Sequence, residues 1–381
     1  MNQVRVGVIG LGNMGAMVAN CLRRNEIEGA VLAAASETFA ERLEWARGEF
    51  GGDVKLFGSV EELLDSGEID AVYIATPHYD HPRIAILAFK RGLHVLTEKP
   101  AGVYTKQVRE MNEAAANAGT VFGIMYNQRS LPLYQKLREL VQSGELGEIR
   151  RTNWIVTNWY RTQHYYDSAA WRGTWAGEGG GVLITLVPHQ LDLWQWTIGM
   201  MPERVRAFCS FGKYRNIEVE DDVTAYVEYA NGATGLFVTT TGEYPGTNRF
   251  EVTGDRGKIV IEDGKLTFWR LRVPEQEFNR KFSGGFGSPE CWKVEIPVAR
   301  QSKEGHVLLM QNFVNAIAKG TPLLAPGVEG IKGLTLSNAM QLSAWTDNWV
   351  DLPIDEDLYY EQLQDKIRSS EAKKASGGKN A

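Results

Sequence analysis

The sequence predicts two fold types in succession: an α/β N-terminal domain with a doubly wound parallel sheet, then an α+β domain with a mostly antiparallel open sheet. Over residues 4–125, short apolar runs alternate with helix-compatible segments, as strands and crossover helices do in parallel sheets. Over residues 204–298, strand-like segments follow one another, and Asn-Gly and Asp-Gly pairs mark turns between some of them.

The chain has 381 residues, too many for one small core, so we place domains at 1–126 and 127–355, with a terminal helix and disordered tail at 356–381. A formal net charge of −6 provides no basic surface for nucleic acid or an anionic membrane. No apolar run is long enough to cross a bilayer, the N-terminus leads straight into a strand, and the separated cysteines lack metal-ligand spacing. We therefore expect a cytoplasmic protein without a metal, whose end frays from about Arg368.

The first strand leads into a glycine turn. Gly10, Gly12 and Gly15 have the spacing G-x-G-x-x-G, with Asn13 and Met14 between the second and third glycines. In a Rossmann-like domain the first glycine permits the tight turn, the second admits a pyrophosphate, and the third lets helix and strand pack closely. The free amides of the next helix would face that anion. Glycines also mark turns that bind nothing, but this position between strand and helix predicts a dinucleotide-binding site.

The second strand, near residues 31–35, ends at Ser36 and Glu37. At this point of the fold an acid bonds the 2′-hydroxyl of the adenosine ribose and repels a 2′-phosphate. Glu37 lies one residue after the usual position, which Ser36 holds. Its charge favours NAD as the cofactor, with NADP the other possibility. The alternative is that Glu37 only begins a solvated helix over residues 38–50.

Further candidate residues follow other strands of the first domain, at the edge where parallel sheets bind their ligands. The candidates at these carboxyl ends are Thr76, Pro77, His78, Glu98, Lys99 and Asn127. We add His81, which lies in the predicted helix after His78, to the residues expected to bind the cofactor. His94 lies at the start of a strand, on the opposite edge, and is expected to be structural.

Several motifs together resemble the Gfo/Idh/MocA family of sugar and cyclitol oxidoreductases. They are the glycine turn, an Ala-Thr-Pro-His turn ending at His78, the Glu-Lys-Pro sequence around Lys99, and a glycine triplet that precedes His189. The resemblance extends to about residue 355. It implies an NAD(P)-dependent enzyme that moves a hydride to or from a secondary carbon of a carbohydrate. It also implies that Trp171 and Arg172 lie against the nicotinamide.

Lys99 is the first candidate for proton chemistry, a role that the resemblance assigns to this lysine. An ammonium group at a strand end can hold a substrate hydroxyl. Pro100 admits a cis peptide bond at low cost, and the family often uses such a bond to direct the lysine. The alternative is a solvated surface lysine.

His189 is the second candidate, because imidazole titrates near neutral pH. It lies in the apolar stretch 182–198, where a lone histidine is often only a core residue. The preceding glycine triplet and the resemblance favour catalysis. Asp192, three residues on, either orients His189 or only ties the helix to its neighbours.

Thr185 departs from the family pattern, since most relatives have an aspartate four residues before the histidine. On a single helix that position lies one turn away. Threonine exchanges hydrogen bonds but takes up no proton near neutral pH, so proton transfer falls to His189 and Lys99. The change argues against inositol as the substrate. Because Pro188 is tolerated only in a first helical turn or at a kink, we expect the helix to begin later than in relatives.

Aromatic residues are dense between residues 150 and 196, and flat aromatic faces pack well against sugar rings. Most of these aromatics must form core and subunit contacts. We expect the substrate to contact Lys99, Thr185 and His189 together with the candidates Tyr126, Trp159, Tyr160, His164 and Tyr165.

One face of the C-terminal sheet is expected to pack on the helix containing His189, and the other face needs a cover. This predicts a homodimer or homotetramer formed sheet to sheet. We interpret the acidic run 218–222 as a solvated or turn feature, since no histidine accompanies it to form a metal site.

Three functions are compatible with the sequence. The leading one is an NAD(P)-dependent dehydrogenase or reductase of a sugar, anhydrosugar, glycoside or cyclitol. The second is a redox-neutral enzyme that cleaves glycosides through a 3-keto sugar. The third is a nucleotide-binding regulator without turnover, against which Lys99 and His189 together argue.

Overall fold

The computed structural model describes residues 3–377, which divide into two units. The first unit contains residues 3–130 and 302–334, and the second contains residues 131–301 and 335–377. The strands are β1 (Val4–Ile9), β2 (Ala30–Ser36), β3 (Lys55–Phe57), β4 (Ala71–Ile74), β5 (His94–Thr97), β6 (Phe122–Ile124), β7 (Ile149–Val156), β8 (Arg204–Phe211), β9 (Glu220–Glu228), β10 (Thr234–Thr240), β11 (Asn248–Gly254), β12 (Gly257–Glu262), β13 (Lys265–Leu271), β14 (Cys291–Ile296) and β15 (Val350–Asp351). The α-helices are α1 (Asn13–Arg23), α2 (Ala40–Phe50), α3 (Val60–Asp65), α4 (Asp80–Phe89), α5 (Thr105–Ala118), α6 (Pro132–Gln142), α7 (Gln163–Asp167), α8 (Pro188–Ile198), α9 (Glu275–Lys281), α10 (Gly305–Lys319), α11 (Gly330–Thr346) and α12 (Glu356–Gly377).

The sheet of the first unit has the order β3-β2-β1-β4-β5-β6, and all of its neighbouring strands are parallel. The strand order reverses between β1 and β4, where sheets of this type bind their ligands. β4 is buried along its whole length, which explains its continuous apolar sequence. The predicted doubly wound parallel sheet is therefore confirmed.

The sequence analysis missed β3 and α3. β3 has only three residues and lies at the sheet edge, so it leaves no periodic signal. The start of α3 carried a readable signal. Ser59 Oγ accepts the amide of Glu62 at 3.2 Å, and Glu62 Oε2 accepts the amide of Gly58 at 3.2 Å. A serine at the N-cap with a glutamate three residues later is a sequence pattern that marks the N-terminus of a helix, although here the glutamate accepts the amide one residue before the cap.

The second unit has a nine-stranded sheet in the order β14-β13-β12-β11-β7-β10-β9-β8-β15. Among the described strands of this sheet, β7 and β10 are the one parallel pair of neighbours, so the predicted mostly antiparallel sheet is confirmed. α8 packs on it. Trp194 stacks on Phe237, with ring centroids 5.4 Å apart, and its Nε1 donates to Thr152 Oγ1 at 2.9 Å.

The predicted fraying from Arg368 is wrong as far as residue 377, because α12 continues to that point. Ser369 Oγ donates to the Asp365 carbonyl at 2.8 Å, and Ser370 Oγ donates to the Lys366 carbonyl at 3.0 Å. Glu, Lys, Arg and Ala form helices readily, so the composition that suggested a tail is equally suited to a helix. Residues 378–381, where that predicted tail ends, lie outside the described residues.

Candidate active site

The turn after β1 requires its glycines. Gly10 has a φ of +86°, and a Cβ there would lie 2.8 Å from the carbonyl oxygen of the residue after β4. A Cβ at Gly15 would lie 1.8 Å from the Gly10 oxygen, so only glycine lets α1 pack this closely. A Cβ at Gly12 would meet no heavy atom of residues 3–377 within 4 Å, so its backbone borders open space. With Asn13 and Met14 beginning α1, the turn fits the pyrophosphate of a dinucleotide.

The carboxylate of Glu37 is fixed at the end of β2 by three backbone amides. Its Oε2 accepts the amide of Leu11 in the glycine turn at 2.8 Å. Its Oε1 accepts the amides of the two residues that follow Glu37, Thr38 at 2.7 Å and Phe39 at 3.0 Å. Ser36 is buried, and its carbonyl accepts the amide of Gly10 at 2.9 Å. Glu37 therefore joins the glycine turn to the segment leading to α2, and its contact with the ribose stays a prediction.

Arg42, on α2, reaches the same turn and was missed by the sequence analysis. Its Nε donates to the carbonyl of Leu11 at 3.0 Å, and its guanidinium lies 4.7 Å from the centroid of the Trp45 ring. The predicted ribose end of the nucleotide site thus carries a carboxylate and a cation. Because a carboxylate repels a 2′-phosphate and a cation attracts it, cofactor preference depends on Glu37 and Arg42 together.

We expect Glu37→Gln to raise the affinity for NADPH relative to NADH about tenfold. The change removes a negative charge while keeping one acceptor for the amides and leaving Arg42 in place. Fluorescence titration of both reduced cofactors at one fixed salt concentration measures the ratio. Glu41→Gln, which neutralises an exposed carboxylate on α2, is the control and should leave the ratio unchanged. An unaltered ratio in Glu37→Gln would mean that this carboxylate does not contact the ribose.

His81, near the start of α4, joins two strand-end loops. Its Nε2 lies 2.7 Å from the carbonyl oxygen of Thr76, and its Nδ1 lies 2.8 Å from that of Pro100. Burial lowers the pKa of His81. Both ring nitrogens are engaged with backbone, so His81 supports the loop containing Pro77 and His78 instead of facing a ligand. Thr76 Oγ1 is buried with no hydrogen-bond partner in the described part of the chain, which suits a hydroxyl that contacts a bound nucleotide.

The Glu-Lys-Pro turn after β5 is held from inside the sheet. Glu98 is buried, and its Oε1 accepts the hydroxyl of Tyr73 at 2.5 Å while its Oε2 accepts the amide of Lys99 at 3.1 Å. Burial and the Glu98 charge raise the pKa of Tyr73 well above its usual value. The bond between Lys99 and Pro100 is cis, as the sequence allowed. Lys99 is half-buried, which does not fit a solvated surface lysine.

His306, the second residue of α10, belongs to the same group and was missed by the sequence analysis. Asn127 Nδ2 lies 3.1 Å from its Nδ1, and a Cβ at Gly305 would lie 3.0 Å from the Asn127 carbonyl oxygen. Burial lowers the pKa of His306, the charge of Glu98 raises it, and the charge of Lys99 lowers it. His306 is therefore close enough to both charges to respond to them. The only signal in the sequence was a Gly-His pair, far along the chain from the residues it meets.

Tyr126 was predicted to contact substrate, but it is only 1 % exposed. Its hydroxyl lies 3.4 Å from the carbonyl oxygen of Gly330, and the guanidinium of Arg129 lies 5.6 Å from its ring centroid. Burial of this kind fits a core residue better than the wall of a pocket.

His94, at the start of β5, was expected to be structural. Its Nδ1 accepts the amide of Val121 at 2.9 Å, a contact that fits this expectation.

In the second unit the glycine triplet leads into one π-helical turn, Val182–Leu186, before α8 begins at Pro188. Thr185 therefore lies in the π-helical turn and not on α8, and Pro188 occupies a first helical turn, one of the two positions that the sequence allowed for it. His189 lies in the first turn of α8 and is 8 % exposed. Asp192 is fully buried, and its Oδ1 accepts Nε2 of Gln195 at 3.1 Å, a bond within α8.

Glu220, from the acidic run 218–222, anchors the turn before His189. It is fully buried, so a solvated run is wrong at this residue, whereas the alternative of a turn feature agrees with Asp221, which accepts the amides of Lys213 and Tyr214 in the preceding turn. Its Oε1 accepts the amides of Gly181 at 2.9 Å and Leu183 at 3.2 Å, and Nε2 of Gln341 lies 3.3 Å from both carboxylate oxygens. A Cβ at Gly181 would lie 2.0 Å from the Glu220 carbonyl oxygen, so glycine is required there.

Glu220 should make stability depend on pH. Burial raises the pKa of Glu220 from 4.5 to about 7, so the folded chain keeps a proton in this interval that the unfolded chain releases. The contribution of this residue to stability is therefore full below the unfolded value and is lost as pH rises through the folded value. The free energy of unfolding falls by about 3 kcal/mol over this interval. Urea unfolding of Glu220→Gln and the parent should show the variant gaining relative stability between about pH 4.5 and pH 8. A constant difference would contradict the assignment.

Glu178, just before the glycine triplet, is a second buried carboxylate that the sequence analysis missed. It is 1 % exposed. Its Oε1 accepts the hydroxyl of Thr185 at 2.7 Å, and its Oε2 accepts the amide of Gly173 at 2.6 Å. Thr185 is thus hydrogen-bonded to a carboxylate that lies seven residues earlier in the chain. No spacing rule could have indicated this bond, because it depends on the turn that the triplet makes.

Four of the predicted aromatic and arginine candidates form an alternating stack with Arg161. The guanidinium carbon of Arg161 lies 5.4 Å from the Trp159 ring centroid and 5.1 Å from that of Tyr165. The guanidinium carbon of Arg172 lies 4.4 Å from the Tyr165 centroid and 4.5 Å from that of Trp171. Arg172 Nη1 also donates to the Tyr165 hydroxyl at 2.6 Å. Such stacks hold flat surfaces in fixed positions.

Tyr160 and His164, the other two candidates in this region, are exposed. The guanidinium of Arg215 lies 5.1 Å from the Tyr160 ring centroid. Within residues 3–377 there is no group of three or more His, Cys, Asp or Glu side chains that could hold a metal ion. Of the helices described, none is both long enough and apolar enough to cross a membrane.

Comparisons with known proteins agree with this geometry. Residues 4–126 match an oxidoreductase family with an NAD-binding Rossmann fold, and residues 134–260 match the GFO/IDH/MocA C-terminal domain. The trans-1,2-dihydrobenzene-1,2-diol dehydrogenase of Bos taurus is 27% identical over 323 residues, or 80% of this chain and 91% of that protein. The levoglucosan dehydrogenase of Pseudarthrobacter phenanthrenivorans is 24% identical over 325 residues, or 76% of this chain and 82% of that protein.

Among solved structures, the WlbA dehydrogenase from Bordetella pertussis in complex with NADH and UDP-GlcNAcA is similar to this chain. The TM-score is 0.78 at 26% identity, and the match covers 93% of this chain and 100% of that one. The predicted fold class and the predicted class of cofactor, NAD, are thus confirmed. From these matches and the glycine turn described above, the chain belongs to the GFO/IDH/MocA family of NAD-binding oxidoreductases.

Proposed function

We propose that this protein is an NAD-dependent dehydrogenase or reductase acting on a secondary hydroxyl, or the matching ketone, of a sugar, anhydrosugar, glycoside or cyclitol. The observation that carries the proposal is the turn at Lys99. A buried carboxylate, Glu98, fixes this lysine at the carboxyl end of β5, in the same unit as the glycine turn. A cation that can hold the reacting oxygen, in the unit that binds the nucleotide, serves the oxidation of an alcohol by stabilising the negative charge that develops on that oxygen.

The chain's own residues have separate tasks in this proposal. Bound NAD supplies the acceptor for the hydride. Lys99 holds the reacting oxygen through its ammonium group and stabilises the negative charge that develops there. His189 takes the hydroxyl proton as a general base, and returns it when a ketone is reduced. His306, which Asn127 contacts, is near enough to Lys99 for the lysine charge to lower the pKa of the imidazole.

The substrate class is argued from the second unit. The stack of Trp159, Arg161, Tyr165, Arg172 and Trp171 combines aromatic faces with hydrogen-bond donors, which suits a ring that bears hydroxyl groups. The relatives named above are, by their names, dehydrogenases of a cyclic diol and of levoglucosan. Both findings favour a cyclic polyol or sugar over an open-chain alcohol.

A panel of sugars, anhydrosugars, glycosides and cyclitols tests the proposal, with absorbance of NADH followed for each compound. Equimolar NADH and ketone, with the substrate skeleton intact, is the expected result. Release of free sugar from a glycoside without net NADH would instead indicate the redox-neutral cleavage considered above. Tight NADH binding with no turnover of any compound would indicate a nucleotide-binding regulator.

We also propose that the chain forms a homodimer or homotetramer in which copies associate through the open face of the second sheet. Phe208 is 63 % exposed, and Tyr226 and Trp349 beside it are also exposed. Leu236 and Val238 lie on β10, which pairs with the strand of Tyr226, β9. They are half-buried and continue the apolar surface. Exposed apolar patches of this kind mark interaction surfaces.

Phe208→Asp is expected to convert this oligomer to a monomer, because the change places a charge in the centre of the apolar face. Size-exclusion chromatography with light scattering measures the mass. Phe286→Asp is the control, since Phe286 is fully exposed in the loop before β14, a strand at the opposite end of the strand order from β8 and β15, and should not change the mass. A monomeric parent chain, or an oligomer that survives Phe208→Asp, would contradict the proposal.

A further inference from the structure

We propose that β14, the strand at one edge of the second sheet, pairs antiparallel with β14 of a second copy, so that two sheets join edge to edge. The inference goes beyond the association through the sheet face and rests on it, because the edge contact is too small to act alone. β14 lies at the opposite end of the strand order from β8 and β15. The two contacts therefore use different parts of the same sheet.

β14 is paired on one side only and is open to solvent. It runs antiparallel to β13, and among the described strands no other strand pairs with it. All of its residues are exposed except Ile296, which is half-buried. Trp292 is 46 % exposed and Val294 is 37 % exposed. An open strand edge that carries large apolar side chains is a template for pairing with another chain.

The two charged residues of β14, Lys293 and Glu295, make the strand complementary to itself. They are separated by one residue, so both point to the same face of the sheet. Lys293 Nζ lies 5.4 Å from the ring centroid of Trp269, on the neighbouring strand. Within residues 3–377 neither Lys293 nor Glu295 forms an ion pair. A second copy of the strand, turned through 180°, offers each of them the opposite charge.

Symmetry restricts the register of this ladder. Two identical antiparallel strands in one sheet are related by a two-fold axis normal to the sheet. Directly opposed residues point to the same face, so the axis passes at a residue and not between two. With the axis at Val294, Lys293 lies opposite Glu295 of the partner subunit, and this pair occurs twice. An axis at Lys293 or at Glu295 would instead oppose like charges, which destabilises a ladder.

The same register also matches the other face of the strand. With the axis at Val294, Trp292 lies opposite Ile296 of the partner subunit, and the two copies of Val294 face each other. Aromatic and β-branched side chains that are directly opposed stabilise antiparallel pairs. The exposed apolar residues and the two charges of β14 are therefore satisfied by one arrangement. A second copy of this chain is the occupant that fits both faces.

The ladder alone is too small to hold two copies together, since stable interfaces bury at least roughly 1,200 Å². Two copies joined through the sheet face, however, present two β14 strands, and both can pair with those of another such pair. The axis of the face contact lies parallel to the sheet and that of the ladder is normal to it, so four copies close into a tetramer. Phe208→Asp therefore still gives a monomer. Phe286 precedes the ladder and stays a suitable control.

Exchange of the charges tests the ladder. Lys293→Glu and Glu295→Lys each oppose like charges, and either one is expected to convert the tetramer to a dimer by raising the Kd between dimers at least about tenfold. The double variant restores opposite charges and should restore the tetramer. Lys319→Glu, the same change at an exposed lysine of α10, is the matched control. Size-exclusion chromatography with light scattering, over a range of protein concentrations, measures the mass. Single variants that stay tetrameric, or a double variant that stays dimeric, would overturn the inference.

A disulfide tests the register directly. In a Cys291→Ser background, Val294→Cys places two thiols opposite each other across the axis, at the Cα separation of about 4.5–5.5 Å of an antiparallel pair. A disulfide spans that distance, so mild oxidation should give covalent dimers on a denaturing gel. Trp269→Cys in the same background is the control, since this position on β13 is similarly exposed but lies inside the sheet, and it should give none. Equal cross-linking of the two variants would overturn the inference.

The mass of the parent chain separates this inference from the face contact on which it rests. We expect a tetramer. A parent that is dimeric at every concentration, and that Phe208→Asp converts to a monomer, would overturn the ladder and leave the face contact standing. A monomeric parent would overturn both.

Discussion

We expect His189→Ala to lower kcat by about two to four orders of magnitude, the usual effect of removing a general base. Of the two candidate histidines in the second unit, His189 is buried in the first turn of α8 and His164 is exposed, and imidazole commonly exchanges protons near neutral pH. The position of His189 depends on the Glu220 carboxylate and on the π-helical turn before Pro188. Steady-state turnover of the best substrate of the panel, with NAD saturating, measures the effect.

Two controls separate loss of the base from loss of structure. NADH affinity and the urea unfolding midpoint of His189→Ala should match those of the parent. Added imidazole should then restore part of the turnover in the variant and none in the parent, because a free base can enter the space that the side chain leaves. A turnover within a few-fold of the parent value would remove His189 from the path of the proton.

Sequence reasoning was most successful where the chemistry is local in the chain. The glycine turn, the Glu-Lys-Pro turn and the position of Pro188 in a first helical turn each follow from a few neighbouring residues whose backbone geometry is restricted. The two sheets follow from the succession of apolar segments, which is also local. The short strand β3 was not predicted, because three residues are too few to show the alternation of apolar and polar side chains that marks a strand.

Side chains that approach from distant parts of the chain were not predictable in the same way. His306 meets Asn127 only because α10 packs in the first unit, and Arg42 meets Leu11 because α2 passes the glycine turn. Nothing in the local sequence distinguishes these residues from other histidines and arginines. For the acidic run 218–222 the local sequence did carry a signal, but that signal led to a wrong prediction. Local charge predicts solvation, yet Glu220 and Asp221 are buried because backbone amides converge on them.

Lys99→Met is expected to lower kcat/KM about a hundred- to a thousandfold, comparable to the loss of one donor from a site that stabilises an oxyanion. Methionine keeps the unbranched stem and removes only the ammonium group. Lys99→Arg should restore little, because a planar guanidinium does not place its charge where the ammonium does. Lys90→Met, at an exposed lysine after α4, is the matched control and should leave kcat/KM unchanged. Equal rates for Lys99→Met and the control would contradict the role of Lys99.

Combining Lys99→Met with His189→Ala tests whether the two residues serve one chemical step. Groups that act together on one reacting oxygen give losses that are far from additive, since removing either one disables the step that both support. We therefore expect the double variant to be about as slow as the slower single variant. If the two losses instead multiply, Lys99 and His189 contribute independently, one to substrate affinity and one to proton transfer. A plot of log kcat against pH for each single variant would then show which residue still supports the remaining rate.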